Sequence, residues 1–193
     1  MNGYQLASVI LALALYAPLG LKILQKKVEQ NIATFFLWGS LDLLVGVSIY
    51  TQGGDNFALP FAYVGGCAFI ISCILIAGTY KWTSIETRAA VIVAICTAIW
   101  SAMVWGFQNP YYATIFSTLG VVAAGIPQLY NSWYVPAKVP TAEYAGYTVA
   151  NILSTVGGAS WTVVDRLFPG ACTILCGVFV LVGLRKFSPR FQT

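Results

Sequence analysis

In a chain of 193 residues, charged side chains make up only 8% and hydrophobic ones 59%, and the mean hydropathy is +0.78. A surface built from that composition cannot face water, which excludes a soluble enzyme or nucleic-acid-binding domain and points to an integral membrane protein. Ten Lys and Arg against six Asp and Glu give a net charge of +4, and there is no histidine, so a common metal ligand and a common catalytic base are both missing.

Uncharged or nearly uncharged runs long enough to cross about 30 Å of hydrocarbon begin near Tyr4, Ile32, Phe57, Ala89, Tyr111, Tyr144 and Pro169, which predicts seven spans. The first has no basic residue before it and no small-residue cleavage site after it, so it is expected to be retained rather than removed as a signal. It contains Pro18, which is expected to interrupt it, and it is followed by Lys22, Lys26 and Lys27. The second carries Asp42, the only charged side chain in the middle of an apolar segment, with Trp38 one turn before it and Gly46 one turn after. The third opens at Pro60 and holds Cys67 and Cys73, and Lys81 and Arg88 follow it. The fourth contains Trp100, assigned to packing or to lipid contact. The fifth is interrupted by Pro127, with Gln128 beside it, and Lys138 follows. The sixth carries Asn151, with Tyr147 one turn before and Ser154 and Thr155 one turn after. The seventh, from Pro169 to Leu184, is short for a spanning helix and is expected to borrow residues upstream, with Pro169 in its first turn. Cys67, Cys73, Cys96, Cys172 and Cys176 all fall inside predicted spans, where a thiol is ordinarily a small packing residue, and no metal site is predicted.

Nine of the ten basic residues lie on one side of this topology and only Arg166 on the other. The bias of Lys and Arg toward the cytoplasm then places the N-terminus outside or in a lumen and the C-terminus inside, in a plasma or inner membrane. The same residues are suited to anionic lipid headgroups.

Pro18 and Pro127, Asp42 and Asn151, Pro60 and Pro169, and Cys67 and Cys176 are each 109 positions apart, without a gap. Apolar identities mean little in such a chain, but chance gives roughly 0.1 proline pairs over an alignment of this length, and two are present. The chain reads as a duplicated unit. Each unit has three spans, so an extra span between them is required for both to point the same way. The expected fold is therefore all-α, with seven transmembrane helices as two parallel three-helix repeats joined by a linker helix: residues 1–80, a linker region 81–110 with the fourth span, and 111–193 with the cytoplasmic tail. Repeats of this kind place a substrate near the bilayer midplane, between the units.

A carboxylate at mid-membrane costs about 2.5–3.5 kcal/mol on insertion scales. Asp42 is therefore expected to face the bundle interior and to be either protonated or partnered, the nearest candidate partner being Asn151. The matching faces make Asp42, Asn151, Trp38, Tyr147, Gly46, Ser154 and Thr155 the candidate substrate-binding set. Pro18, Pro127 and Gln128 are the candidate hinge and gate, because a proline frees backbone carbonyls where a helix would bend.

The run Gly125, Ile126, Pro127, Gln128, Leu129, Tyr130 resembles the signature of the PQ-loop family, to which the SWEET and SemiSWEET sugar transporters and lysosomal amino-acid exporters are related. The first copy, Tyr16, Ala17, Pro18, Leu19, Gly20, Leu21, is a degenerate version with Leu19 in place of glutamine. The resemblance implies a uniporter or proton-coupled transporter of small solutes that rocks one bundle against the other, with the prolines as hinges. Sugar-carrying members usually have an asparagine in the third helix of each unit and a tryptophan one turn after the Asp42/Asn151 position. This chain has no such asparagine, and it has Gly46 and Thr155 at the second place, which disfavours sugar. A membrane receptor or trafficking protein of the same architecture is the alternative, weakened by a cavity with only one charge. A retinal photoreceptor is excluded by the absence of a lysine in the middle of the seventh span. An enzyme is disfavoured because no nucleophile has a base beside it.

Overall fold

The computed structural model describes residues 1–80, 82–106 and 109–187. Helices α1 (Gly3–Leu24), α2 (Ile32–Thr51), α3 (Ala58–Ala77), α4 (Ser84–Ser101), α5 (Pro110–Ala124), α6 (Ile126–Tyr134), α7 (Thr141–Gly157) and α8 (Val163–Leu184) account for nearly all of it, and no strand occurs among the described residues. Six helical stretches are long and apolar enough to cross a membrane, α5 and α6 together making one of them. The protein is a multi-pass helical bundle. Helix α7, at 17 residues and with Glu143 in its first turn, is shorter than any of those six stretches.

Local chemistry sets the helix starts. Asn2 accepts from the Gln5 N–H while the Gln5 side chain accepts from the Asn2 N–H, a reciprocal cap for α1. Asn31 caps α2 by accepting from the Thr34 N–H at 3.1 Å. Thr83 and Glu86 form the corresponding capping box of α4. Helix α4 ends in a π-helical turn, Ala102–Gly106.

Two expectations about prolines are corrected. Pro18 lies inside an uninterrupted α1. The break occurs only in the second copy, where α5 stops at Ala124 and Pro127 enters the first turn of α6. The reason is two residues upstream of each proline: Gly125 stands where the first copy has Tyr16, and glycine holds a helix less firmly than tyrosine. Pro169 is the seventh residue of α8 rather than its opening residue, because the helix begins at Val163. Pro60, in the first turn of α3, sits as expected.

Outward faces are apolar, with Leu13, Phe36, Ile76, Ile95, Ile174 and Leu181 all exposed, as contact with acyl chains requires. Inward, α1 packs against α3 and α7, α2 against α3 and α5, and α8 against α7 and α5, while α4 lies on α5 and α2. Small residues admit the closest approaches. A Cβ on Gly66 would overlap the Tyr16 ring, one on Gly20 would meet Phe69, and one on Gly146 would meet Leu15.

Candidate functional site

A buried cavity of about 60 Å³ lies where α1, α2, α3, α5, α7 and α8 converge. Ten of its fourteen lining residues form five pairs 109 positions apart: Phe35 with Tyr144, Trp38 with Tyr147, Asp42 with Asn151, Tyr63 with Cys172, and Cys67 with Cys176. Each copy of the repeat thus contributes the same positions to the wall. Asp42 is the eleventh residue of the 20-residue α2, so the cavity sits at mid-span.

Asp42 is 3% exposed, and its Oδ1 has no hydrogen-bond partner. No basic residue lines the cavity. The expected link from Asn151 is not made: its Nδ2 donates to the Tyr147 carbonyl, 2.8 Å away on the preceding turn, and its Oδ1 is left without a partner. The hydroxyls of Tyr63 and Tyr147 are likewise buried without partners. Four residues of the wall therefore each carry a buried polar atom without a partner, although such atoms are ordinarily satisfied in a protein interior.

The rest of the wall is aromatic. The rings of Tyr16, Tyr63 and Tyr147 have centroids 5.3–6.5 Å apart. Tyr144 stacks on Phe179 at 4.5 Å, and Trp38 meets the same Phe179 edge-on at 6.2 Å. The indole of Trp38 donates to the Val121 carbonyl at 2.8 Å. That carbonyl is available because the Gly125 N–H, its regular helical partner, turns to Val122 at the break in the fifth span.

Of the candidate residues, the cavity brings together Asp42, Asn151, Trp38 and Tyr147. Gly46, Ser154 and Thr155 lie on the same faces but not on the cavity. A Cβ on Gly46 would meet the Phe61 ring, so α3 covers it. The Ser154 hydroxyl donates to Asn56 at 2.8 Å. Thr155 bonds back to the Asn151 carbonyl at 2.7 Å, and its own carbonyl accepts from Arg166. Pro18, Pro127 and Gln128 do not line the cavity; Pro18 sits between the wall residues Tyr16 and Leu19, and Pro127 and Gln128 lie more than a turn beyond Val121.

Gln128 instead fastens the lysine-rich end of the bundle. It is 2% exposed, and its Oε1 accepts from the Asn31 backbone N–H at 2.6 Å. The adjoining strap between α1 and α2 is tied twice more: Asn31 donates to Glu86 at 2.5 Å, and the Tyr144 hydroxyl, at the cavity wall, donates to Gln30 at 3.0 Å. Lys22 at the end of α1 pairs with Glu143 at the start of α7, a carboxylate whose side chain is only 4% exposed. The opposite end is also closed. The Asn56 amide donates to the Ser154 carbonyl at 3.0 Å and to the Asp165 carbonyl at 2.8 Å, Asn56 and Asp165 being again 109 positions apart. Asn2 donates to the Gly157 carbonyl at 2.6 Å. Arg166 donates to the carbonyls of Gly158 and Ser160 and stacks over Trp161, so the one basic residue at this end among the described residues is committed to loop structure.

Tyr16, Tyr63, Phe35, Tyr144 and the thiols Cys67, Cys172 and Cys176 are wall residues that the face-matching of two helices does not reach. The signal for six of them was the same 109-residue offset, followed one turn further back in α2 and across into α3. All five cysteines are free thiols. Comparison with protein-family models, curated proteins and solved structures finds no match to this chain, and the cavity with its two closures therefore carries the functional conclusion.

Proposed function

We propose that the chain is a small-solute membrane transporter of the PQ-loop and SWEET type, captured in an occluded conformation. The carrying observation is a mid-span cavity with a lone carboxylate, walled by repeat mates and closed at both ends by different polar ties. In this reading α1–α3 and α5–α8 are two parallel three-helix units joined by α4. The pattern of neighbours supports it: α1 packs on α7 and α2 on α5, a reciprocal first-to-second contact, and the third helix of each unit packs on the other two. Opening the lysine-rich end requires the ties of Gln128, Tyr144 and Glu143 to part while those of Asn56 hold; opening the other end requires the reverse. The basic residues orient the lysine-rich end toward the cytoplasm.

Asp42 supplies the coupling. A carboxylate that meets hydrocarbon when the cavity is shut and water when it is open favours movement of the bundle only when its charge is neutralised, by a proton or by the solute. Purified protein in proteoliposomes, offered labelled solutes with and without a pH gradient, tests the proposal. Saturable flux above that of protein-free vesicles is expected, altered by the gradient in the native chain and insensitive to it in Asp42→Asn. Absence of flux for every solute class overturns the transporter assignment.

A further inference from the structure

Resting on the cavity as the solute site, we propose that its ligand is a small primary amine in the ammonium form, of about four to six non-hydrogen atoms. The size follows from the volume: about 60 Å³, at roughly 10–15 Å³ for each water-sized occupant. The charge follows from the lining. Asp42 is the one ionisable carboxyl there, no Lys or Arg lines the wall, and Oδ1 has no partner from the protein. A cationic ligand completes that carboxylate, whereas an anion meets only repulsion. The second polar group points the same way. The Asn151 Nδ2 donates to the Tyr147 carbonyl at 2.8 Å and to the Cys176 Sγ at 4.0 Å, while its Oδ1 has no partner, so the polar atom it leaves unused is an acceptor. The hydroxyls of Tyr63 and Tyr147 also lack partners and accept readily. An ammonium has three N–H donors and no acceptor, which matches a wall richer in acceptors than in donors. The faces of Tyr16, Tyr63 and Tyr147, clustered within 6.5 Å of one another, add the negative ring potential that attracts a cation.

The same features exclude near relatives of the amine. A zwitterionic amino acid brings a carboxylate that the cavity has no guanidinium, ammonium or helix N-terminus to receive. A hexose exceeds the volume and needs many more hydrogen bonds than four polar atoms supply.

Size-matched probes separate these cases by calorimetry on the full chain in detergent: 2-hydroxyethylammonium, its neutral isostere ethylene glycol, glycolate and glycine. The cation is expected to bind, with the other three weaker by about thirtyfold or more, the penalty for removing one member of a buried charge pair. Asp42→Asn should lose cation affinity to the same extent. Tyr147→Phe should lose about fivefold, the worth of one hydrogen bond. Asn151→Asp places a second carboxylate in the wall and should shift preference toward ethylenediammonium, which keeps the test decisive if Asp42→Asn fails to fold. Ethylene glycol binding as tightly as the cation, or Asp42→Asn leaving cation affinity unchanged, overturns the proposal. Cation binding without flux in proteoliposomes supports the amine site and overturns transport. Flux of a neutral polyol without cation binding does the opposite.

Discussion

Asp42 and Trp38 share one face of α2, and the contrast between them is that of a buried polar group without a partner and one with a partner. The Trp38 indole has a partner that a helix break created for it, whereas the Asp42 carboxyl has no partner at Oδ1 in the wall around it. A side chain that costs stability without bonding is held for what it does. Asp42→Asn is therefore expected to melt no lower than the native chain in detergent, and a fall of about 3 °C or more in Tm, the effect of roughly 1 kcal/mol in a chain this size, would mark the carboxyl as a structural tie. Gly66 gives the opposite case. Its missing side chain is what admits Tyr16 to the cavity wall, so Gly66→Ala should cost about 1–3 kcal/mol by overpacking, with part recovered by Tyr16→Leu in the same background; thermal unfolding of the single and double variants checks both. At this scale the sequence announced Asp42, Asn151, Trp38 and Tyr147, because i, i+4 spacing reports what shares a helix face. It could not separate Gly46 and Ser154 from them. What covers those two is Phe61 from α3 and Asn56 from a turn, contacts between segments far apart in the chain.

Among the elements, the fifth span is the one that breaks at its proline. Gly125 ends α5, Pro127 starts α6, and the freed Val121 carbonyl is bound by Trp38 from the other half of the chain. Trp38→Phe keeps the ring and removes the donor, leaving that carbonyl unsatisfied at about 1–3 kcal/mol; chemical unfolding in detergent measures the loss. Pro127→Ala should extend the helix across the break, slowing transport while leaving ligand affinity nearly unchanged, and equal transport rates would remove the hinge from the mechanism. The helices themselves were readable from hydropathy, and so was the extension of the last one upstream of Pro169. Whether a proline breaks its helix was not. Pro18 and Pro127 are the same residue at the same repeat position, and the outcome is decided by neighbours, Tyr16 in one copy and Gly125 in the other.

For the molecule as a whole, the two closures are chemically distinct and therefore separately breakable. Glu143→Gln removes the charge that holds Lys22 at one end, and Asn56→Ala removes two amide bonds and a hydroxyl acceptor at the other. Cys67, Cys172 and Cys176 line the cavity and report on access without any added thiol. In oriented vesicles, a small impermeant thiol reagent should label them about fivefold faster from the lysine-rich side in Glu143→Gln and from the opposite side in Asn56→Ala. Faster labelling from both sides in either variant would mean that the ends do not open alternately. That the chain is a multi-pass helical bundle was legible from composition and hydropathy. The closures were not, because Gln30, Asn31, Glu86 and Gln128 meet only after four helices have been assembled.

The pairing of Asp42 with Asn151 has a consequence for ancestry. Two identical copies of one half, associating as separate chains, must put the same residue at both places, giving two carboxylates or none. A single charge on a wall whose positions match, but whose residues agree only at Cys67 and Cys176, requires halves that differ in sequence, as two halves of one chain can. With that divergence the cavity acquires a head and a tail, and an asymmetric ligand has one way to lie in it.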